Sequence, residues 1–382
     1  LQDSFVYIQD SHQFDQLKNS LQGYYVVGID TEFERTKTYW PDLCLVQIAT
    51  PSEVFIVEPN AFDKPWLESF LINPAILKIF HSCRQDIEAF YAFCGVITQN
   101  VFDTQVAAAL IDMRDQISYA DLCHDIFHIH LSKDFQWSNW VARPLLSEQI
   151  AYAANDVRYL IPLYLYLKRK LEDVERQELM RNIMSGYEDK GVYTKDARLY
   201  FINKCYHPSL SSDHTHALYR LIEWREQYCQ TNNVARRLVF DDKDLTHMSP
   251  VLSYEDFLPE HPMREILYQV LKKRHPYEGE ESQYTAKKSN DIFPKAGQMG
   301  HTIKAVHSKI KKTLEQLKVP MHYIVTNNMI VDFLLDPSYK KNPLFNTWRY
   351  DLLKQCWGKL LTIKSKFQTE QNHGKTGYED IG

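Results

Sequence analysis

No stretch of this 382-residue sequence stays apolar for the roughly 18 residues that a membrane span needs. Its first residues, LQDSFVYIQDSHQF, do not set a basic segment before an apolar one, so no secretory signal is read there. The seven cysteines, Cys44, Cys83, Cys94, Cys123, Cys205, Cys229 and Cys356, are odd in number, scattered and never arranged as C-x-x-C. That usage argues against a disulfide framework and suits reduced thiols. Together these absences lead us to expect a soluble, cytoplasmic protein with no membrane partner. Apolar residues at 44% and charged residues at 24% are ordinary for a globular chain. The length exceeds what one core usually serves, so two or three domains are expected.

Charge of either sign is present, but unevenly. Residues 1–200 hold 18 Lys+Arg against 28 Asp+Glu, whereas residues 301–366 hold 12 against 4. An acidic front joined to a basic rear suggests separate tasks, the rear being suited to a polyanion. Solvated helix faces would give the same count.

Residues 24–30, 44–50, 53–58 and 76–82 read as strands, and CRQDIEAFYAF (83–93) has helical periodicity. SEQIAYAANDVRYLIPLYLYLKRKL (147–171) is a strong helical pattern, with Ser147 as its expected cap and Pro162 as a kink or break. Strands followed by alternating helices indicate a mixed α/β domain over 1–185. After a connector at 186–210, an all-helical unit spans 211–285, and a polar linker covers 286–297. A second basic helical unit spans 298–368, and a tail without apolar anchors (369–382) is expected to be disordered.

GIDTEF places Asp30 and Glu32 where the first of these strands should end. Side chains two apart on a strand share a face, so both acids can address one point. Exposed acids at a strand end would look the same. HSCRQDIEAF adds Asp86 in a first helical turn, where an acid is often only a dipole partner. YAAND supplies Tyr152 and Asp156, four apart on one helix face. Converging carboxylates repel and raise one another's pKa unless cations neutralise them, and hard oxygen donors suit Mg²⁺ or Mn²⁺. CHDIFHIH packs Cys123, His124, His128 and His130 closely, but neither a helix nor a strand brings all four to one face for zinc.

In this order, D-x-E, a later acid and Y-x-x-x-D resemble the signature of the DEDDy 3′→5′ exonucleases. DTEFERTKTYWPDLCLVQ, VFDTQVAAA, WSNWVARPLL and YAANDVRYL narrow the resemblance to the ribonuclease D family over nearly all of 1–185. It implies a ribonuclease-H-like exonuclease domain, a mixed sheet flanked by helices. It further implies that Asp30, Glu32, Asp86 and Asp156 hold two divalent metal ions, Mg²⁺ or Mn²⁺, around a terminal phosphate. Tyr152 would orient the attacking water, its phenol being too weak an acid to ionise at neutral pH. Nucleoside 5′-monophosphates would leave one at a time from an RNA with a free 3′ end, a tRNA precursor by family analogy. Phe33, Gln47, His81, Gln136 and Trp137 are expected to contact the last nucleotides. Asp103 is treated as a structural neighbour of the acids.

ALYRLIEWREQYCQTNNVARRLVFDDKDL (217–245) resembles the HRDC domain, and HTIKAVHSKIKKTLEQL with TWRYDLLKQCW resembles a second, more divergent one. Arg236, Arg237, Lys304, Lys309, Lys311, Lys312 and Lys318 are the expected phosphate contacts there. A monomer is expected, since two appended modules make the chain self-sufficient. A DNA exonuclease of the same superfamily, and an RNA-binding protein with a dead nuclease domain, are the competing readings. The first would share all four acids, and the second predicts the loss of at least one.

Overall fold

In the computed structural model the described residues are 4–205, 210, 212–249, 263–272, 298–336, 338, 342–345 and 347–373. They fall into two compact units, Leu1–Thr194 with Lys318–Tyr323, and Lys195–Leu317 with Ile324–Gly382. The expected linker at 286–297 lies outside the described residues. No helix among them is long and apolar enough to cross a membrane.

The first unit is built on one six-stranded sheet. Its strands are β1 (Val6–Ile8), β2 (Val26–Glu34), β3 (Asp42–Ala49), β4 (Val54–Val57), β5 (Leu77–Phe80) and β6 (Val101–Asp103). Their order is β1-β4-β3-β2-β5-β6, with β2–β3 and β3–β4 antiparallel and the other pairs parallel. The helices are α1 (Ser11–Ser20), α2 (Lys64–Ile72), α3 (Arg84–Cys94), α4 (Thr104–Leu110), α5 (Tyr119–Phe127), α6 (Ser147–Arg158), α7 (Leu160–Asp173) and α8 (Gln177–Tyr187). The fold class is the expected one, a mixed sheet flanked by helices. Val46, Ile48, Val57 and Ile79 are fully or almost fully buried, as strands covered on both faces require.

Three expectations change. The acids do not end a strand: β2 runs on to Glu34, paired with β3 through Glu34↔Asp42 and bulged between Glu32 and Phe33. Ser147 is the first residue of α6, not its cap. The preceding Leu146 occupies the cap position without a side-chain cap bond, and its own N–H donates to Gln149 Oε1 at 2.9 Å. The break in the long helical stretch falls at Tyr159, and Pro162 sits in the first turn of α7, where its missing N–H costs nothing. The short strands β1 and β6 carry too little periodicity to be read from sequence.

Among its described residues the second unit is all-helical, with α9 (Ala197–Tyr200), α10 (Ser212–Asn232), α11 (Arg236–Val239), α12 (Asp242–Met248), α13 (Arg264–Lys272), α14 (Gln298–Gln316), α16 (Asn327–Leu335), α17 (Trp348–Leu353) and α18 (Trp357–His373), while α15 (Met321–Ile324) falls almost wholly in the Lys318–Tyr323 stretch of the first unit. Arg225 is buried in α10, donating to the Phe240 carbonyl and to Asp242 Oδ1, each at 2.8 Å. The last helix runs to His373, past residue 369 where a disordered tail is expected. Residues 374–382 lie outside the described residues.

Candidate active site

Alternation along β2 turns Asp30 and Glu32 to one face and Thr31 to the other. Gly28, two residues before Asp30, lies on the acids' face. A Cβ there would meet Leu160 Cβ at 2.9 Å and the Val157 carbonyl oxygen at 3.3 Å. Only glycine lets the corner between α6 and α7 press this closely on the strand. That approach brings the Asp156 face of α6 over the acids. Ligating oxygens of Asp30, Glu32 and Asp156 all lie within 4.8 Å of one another.

Asp86 stands beside this trio. Strand β5 pairs with β2 only as far as Gly28↔Ile79, so β2 continues past its neighbour, and α3 begins alongside. Thr31 donates its hydroxyl to Asp86 Oδ1 at 2.6 Å, from the face opposite Asp30 and Glu32. Spacing gives no sign of Thr31, the middle residue of D-T-E. Asp103 is buried and accepts from the backbone N–H groups of Ser82 (3.0 Å), Cys83 (2.8 Å) and Gln105 (2.8 Å). It thereby holds the turn that starts α3 and caps α4.

The trio and Asp86 are electrostatically costly without a cation. Burial first, then the charge of Asp156, raises the Asp30 carboxyl well above the usual range. Burial, then Asp30, Asp156 and Asp86, pushes Glu32 up to about 10. Asp86 is raised by burial and Asp30, and Asp156 is raised to about 7 by burial against the lowering bond from Tyr152. Burial and Asp156 also raise the Tyr152 phenol, which therefore stays protonated at neutral pH. Clustered hard oxygens with no Cys or His among them fit a hard divalent cation.

A long connection between α5 and α6 covers Tyr152. The rings of Phe135 and Trp140 lie 6.1 and 6.2 Å from that of Tyr152. Arg143 staples the segment to the sheet, donating from Nε (3.0 Å) and Nη2 (2.6 Å) to Glu58 Oε2, from Nη2 to the Cys44 carbonyl (2.7 Å) and from Nη1 to the Trp140 carbonyl (2.6 Å). A second fork ties the end of β2 to α3, Arg35 Nη1 and Nη2 reaching Glu88 at 2.9 and 2.8 Å. Sequence reading missed both arginines because their partners are 85 and 53 positions away. For Arg143, the stretch WSNWVARPLL already held the signal.

Other expected contacts are distributed differently. Trp137 is 91% exposed, Gln136 is exposed and Phe33 is half-buried, so all three offer surface to a ligand. Gln47 is fully buried and offers none. His81 has both ring nitrogens engaged, at 2.9 Å from Thr104 Oγ1 and 2.9 Å from the Ile117 carbonyl, and burial lowers its pKa, so it braces the core. In the second unit Arg236 is held in a fork by Glu226, at 2.6 and 2.5 Å, and stacks over Tyr200, which removes it as a phosphate contact. Lys318 pairs with Asp112. Arg237 and Lys309 are exposed. Lys304, Lys311 and Lys312 line a groove of about 810 Å³ with His307, Ser308 and Ile303. Cys123 is buried while His124, His128 and His130 are exposed, with the rings of His124 and His130 4.6 Å apart.

Carboxylates gathered over a mixed sheet, with a tyrosine one helical turn from one of them, define a 3′→5′ exonuclease domain. The family model described as 3′-5′ exonuclease matches residues 5–172. A ribonuclease D of Bartonella henselae is 30% identical over 361 residues, covering 89% of this chain and 86% of its own length. One of Gluconacetobacter diazotrophicus is 36% identical over 226 residues, covering 58% of this chain and 57% of its own. The chain belongs to the ribonuclease D family, hydrolytic 3′→5′ exoribonucleases of the divalent-metal-dependent DEDD superfamily. Its fold matches the crystal structure of Escherichia coli RNase D, an exoribonuclease involved in structured RNA processing. That match has a TM-score of 0.77 and 22% identity, over 94% of this chain and 99% of that one. The catalytic core of RRP6 from Trypanosoma brucei follows at TM-score 0.56 and 19% identity, over 70% of this chain and 79% of that one.

Proposed function

We propose that this chain degrades RNA from a free 3′ end, releasing nucleoside 5′-monophosphates, with tRNA precursors as its substrates. The observation that carries this reading is the convergence of Asp30, Glu32 and Asp156 within 4.8 Å. Asp30, Glu32 and Asp156, with Asp86 beside them, would hold two Mg²⁺ or Mn²⁺ ions. When bound, such ions lower the pKa of water and stabilise a leaving 3′ oxygen. Tyr152, kept protonated by burial and by Asp156, positions the attacking water by hydrogen bonding and does not take its proton. The exposed indole of Trp137 stacks on a terminal base, and Phe33 and Gln136 add further contacts to the last nucleotides. The helical unit after the connector comprises two HRDC domains, 211–285 and 298–368. Their groove lysines meet the phosphate backbone of the RNA body. The working form is a monomer.

Digestion of 3′-tailed tRNA precursor and matching DNA, with Mg²⁺ or EDTA, tests this directly. Stepwise 5′-monophosphate release from RNA, dependent on Mg²⁺ and lost in Asp156→Ala, is the expected result. Equal digestion of DNA would move the substrate class, and an Asp156→Ala variant as fast as the parent would end the assignment.

A further inference from the structure

Beneath the acids lies a polar side chain that the fold leaves without a partner. Gln47 is fully buried on β3, and neither its Oε1 nor its Nε2 makes a hydrogen bond with any protein atom. Burying an amide in that state costs free energy that native proteins seldom leave uncompensated. Register shows where it points. Gln47 pairs directly with Asp30 across β2–β3, so the two side chains leave the sheet on the same face. On its other side Gln47 pairs with Ile56, which offers no polar group. Asp156, within 4.8 Å of Asp30 and Glu32, covers this face from α6. Of the two residues paired with Gln47 across the sheet, only Asp30 carries a polar side chain.

The geometry points to Gln47 as a positioning residue for the metal-ligating carboxylates, its carboxamide N–H groups orienting the Asp30 and Asp156 oxygens that do not face the cation. This inference rests on the proposed metal role of those acids. A carboxylate that ligates through one oxygen keeps lone pairs elsewhere, and as an acceptor-only group it needs donors for them. The amide supplies two N–H donors on a rigid central strand, without adding charge to a cluster already crowded with it. Partners of this kind set ligand orientation, and losing one weakens metal binding about 10–100-fold.

The test is Mn²⁺ binding to the full chain, by calorimetry and Mn²⁺ paramagnetic resonance, alongside melting in EDTA. Gln47→Leu and Gln47→Met are compared with the parent and with Asp156→Ala. We expect both Gln47 variants to bind Mn²⁺ about 10–100-fold more weakly. They should melt in EDTA at or above the parent, because an unpartnered buried amide has been removed. A packing role would do the reverse, lowering the melting temperature and sparing affinity. Mn²⁺ affinity within twofold of the parent, or loss of fold in both variants, overturns the assignment. If Asp156→Ala binds Mn²⁺ like the parent, the acid site itself is misassigned and this inference falls with it. If Asp156→Ala loses binding while the Gln47 variants keep it, only the role of Gln47 is wrong.

Discussion

Replacing Asp156 with Asn should make the metal-free protein more stable while destroying its activity. Asp156 is raised from 3.8 to about 7, chiefly by burial. At about 1.4 kcal/mol for each tenfold change in the equilibrium, this bounds the cost of holding it charged at about 4 kcal/mol. The sign follows from proton counting. Between pH 4 and 7 the folded protein keeps a proton on Asp156 that the unfolded chain releases. Stability therefore falls as pH rises through that window and stays low above it. Asn carries no charge and retains an acceptor for Tyr152, so Asp156→Asn removes the penalty. For a unit of this size about 1 kcal/mol moves the melting temperature by roughly 2–4 °C. Calorimetric melts in EDTA at pH 5, 6, 7 and 8 should show the variant several degrees above the parent at pH 8, with the gap narrowing towards pH 5. Mn²⁺ should raise the parent's melting temperature and leave the variant's unchanged. A variant melting below the parent at pH 8 in EDTA, or a gap indifferent to pH, would refute the electrostatic account.

Tyr152→Phe should lower kcat by about 10²–10⁴ while leaving Mn²⁺ affinity as it was, since the phenol orients water and holds no cation; single-turnover kinetics with a binding isotherm separate the two effects. Gly28→Ala should destabilise the nuclease domain by about 1–3 kcal/mol and reduce kcat, because the methyl drives α6 off the strand and Asp156 moves with it. Chemical denaturation and turnover on the same preparation check both. Substituting Lys304, Lys311 and Lys312 together by Glu should weaken binding of long RNA and flatten its salt dependence by roughly 0.7 for each phosphate that is no longer neutralised. Cleavage of a dinucleotide should be unaffected, and a variant equally impaired on both lengths would show that the groove does not hold the RNA body.

Part of this site is written in local spacing. Asp30 and Glu32 share a face because strand side chains alternate, and Asp156 lies one turn from Tyr152 because helices repeat every 3.6 residues; both relations hold before any tertiary contact forms. Other features escape local reading for identifiable reasons. The continuation of β2 to Glu34 depends on β3 returning to pair with it, which an acidic, polar stretch does not announce. Gln47, expected from the resemblance as a nucleotide contact, is buried by its place beside Asp30 in the sheet and by cover from α6. His81 and Arg236 are plausible ligand contacts in sequence. Each is instead used up by partners, Thr104 and Ile117 for the imidazole and Glu226 for the guanidinium.

Residue order alone therefore determined which side chains share a face, the α/β character of the front half and the helical, basic character of the rear, because periodicity and charge are local properties, while the choice of Asp30, Glu32, Asp86 and Asp156 as a set came from the resemblance of their motifs to a known family. Tertiary structure alone decided that Asp156 reaches Asp30 and Glu32, that Thr31 steadies Asp86 from the opposite face, and that Gly28 is the residue permitting the approach. Distances between groups more than 50 positions apart are set by how elements pack, and packing is a property of surfaces that come together only in the folded chain.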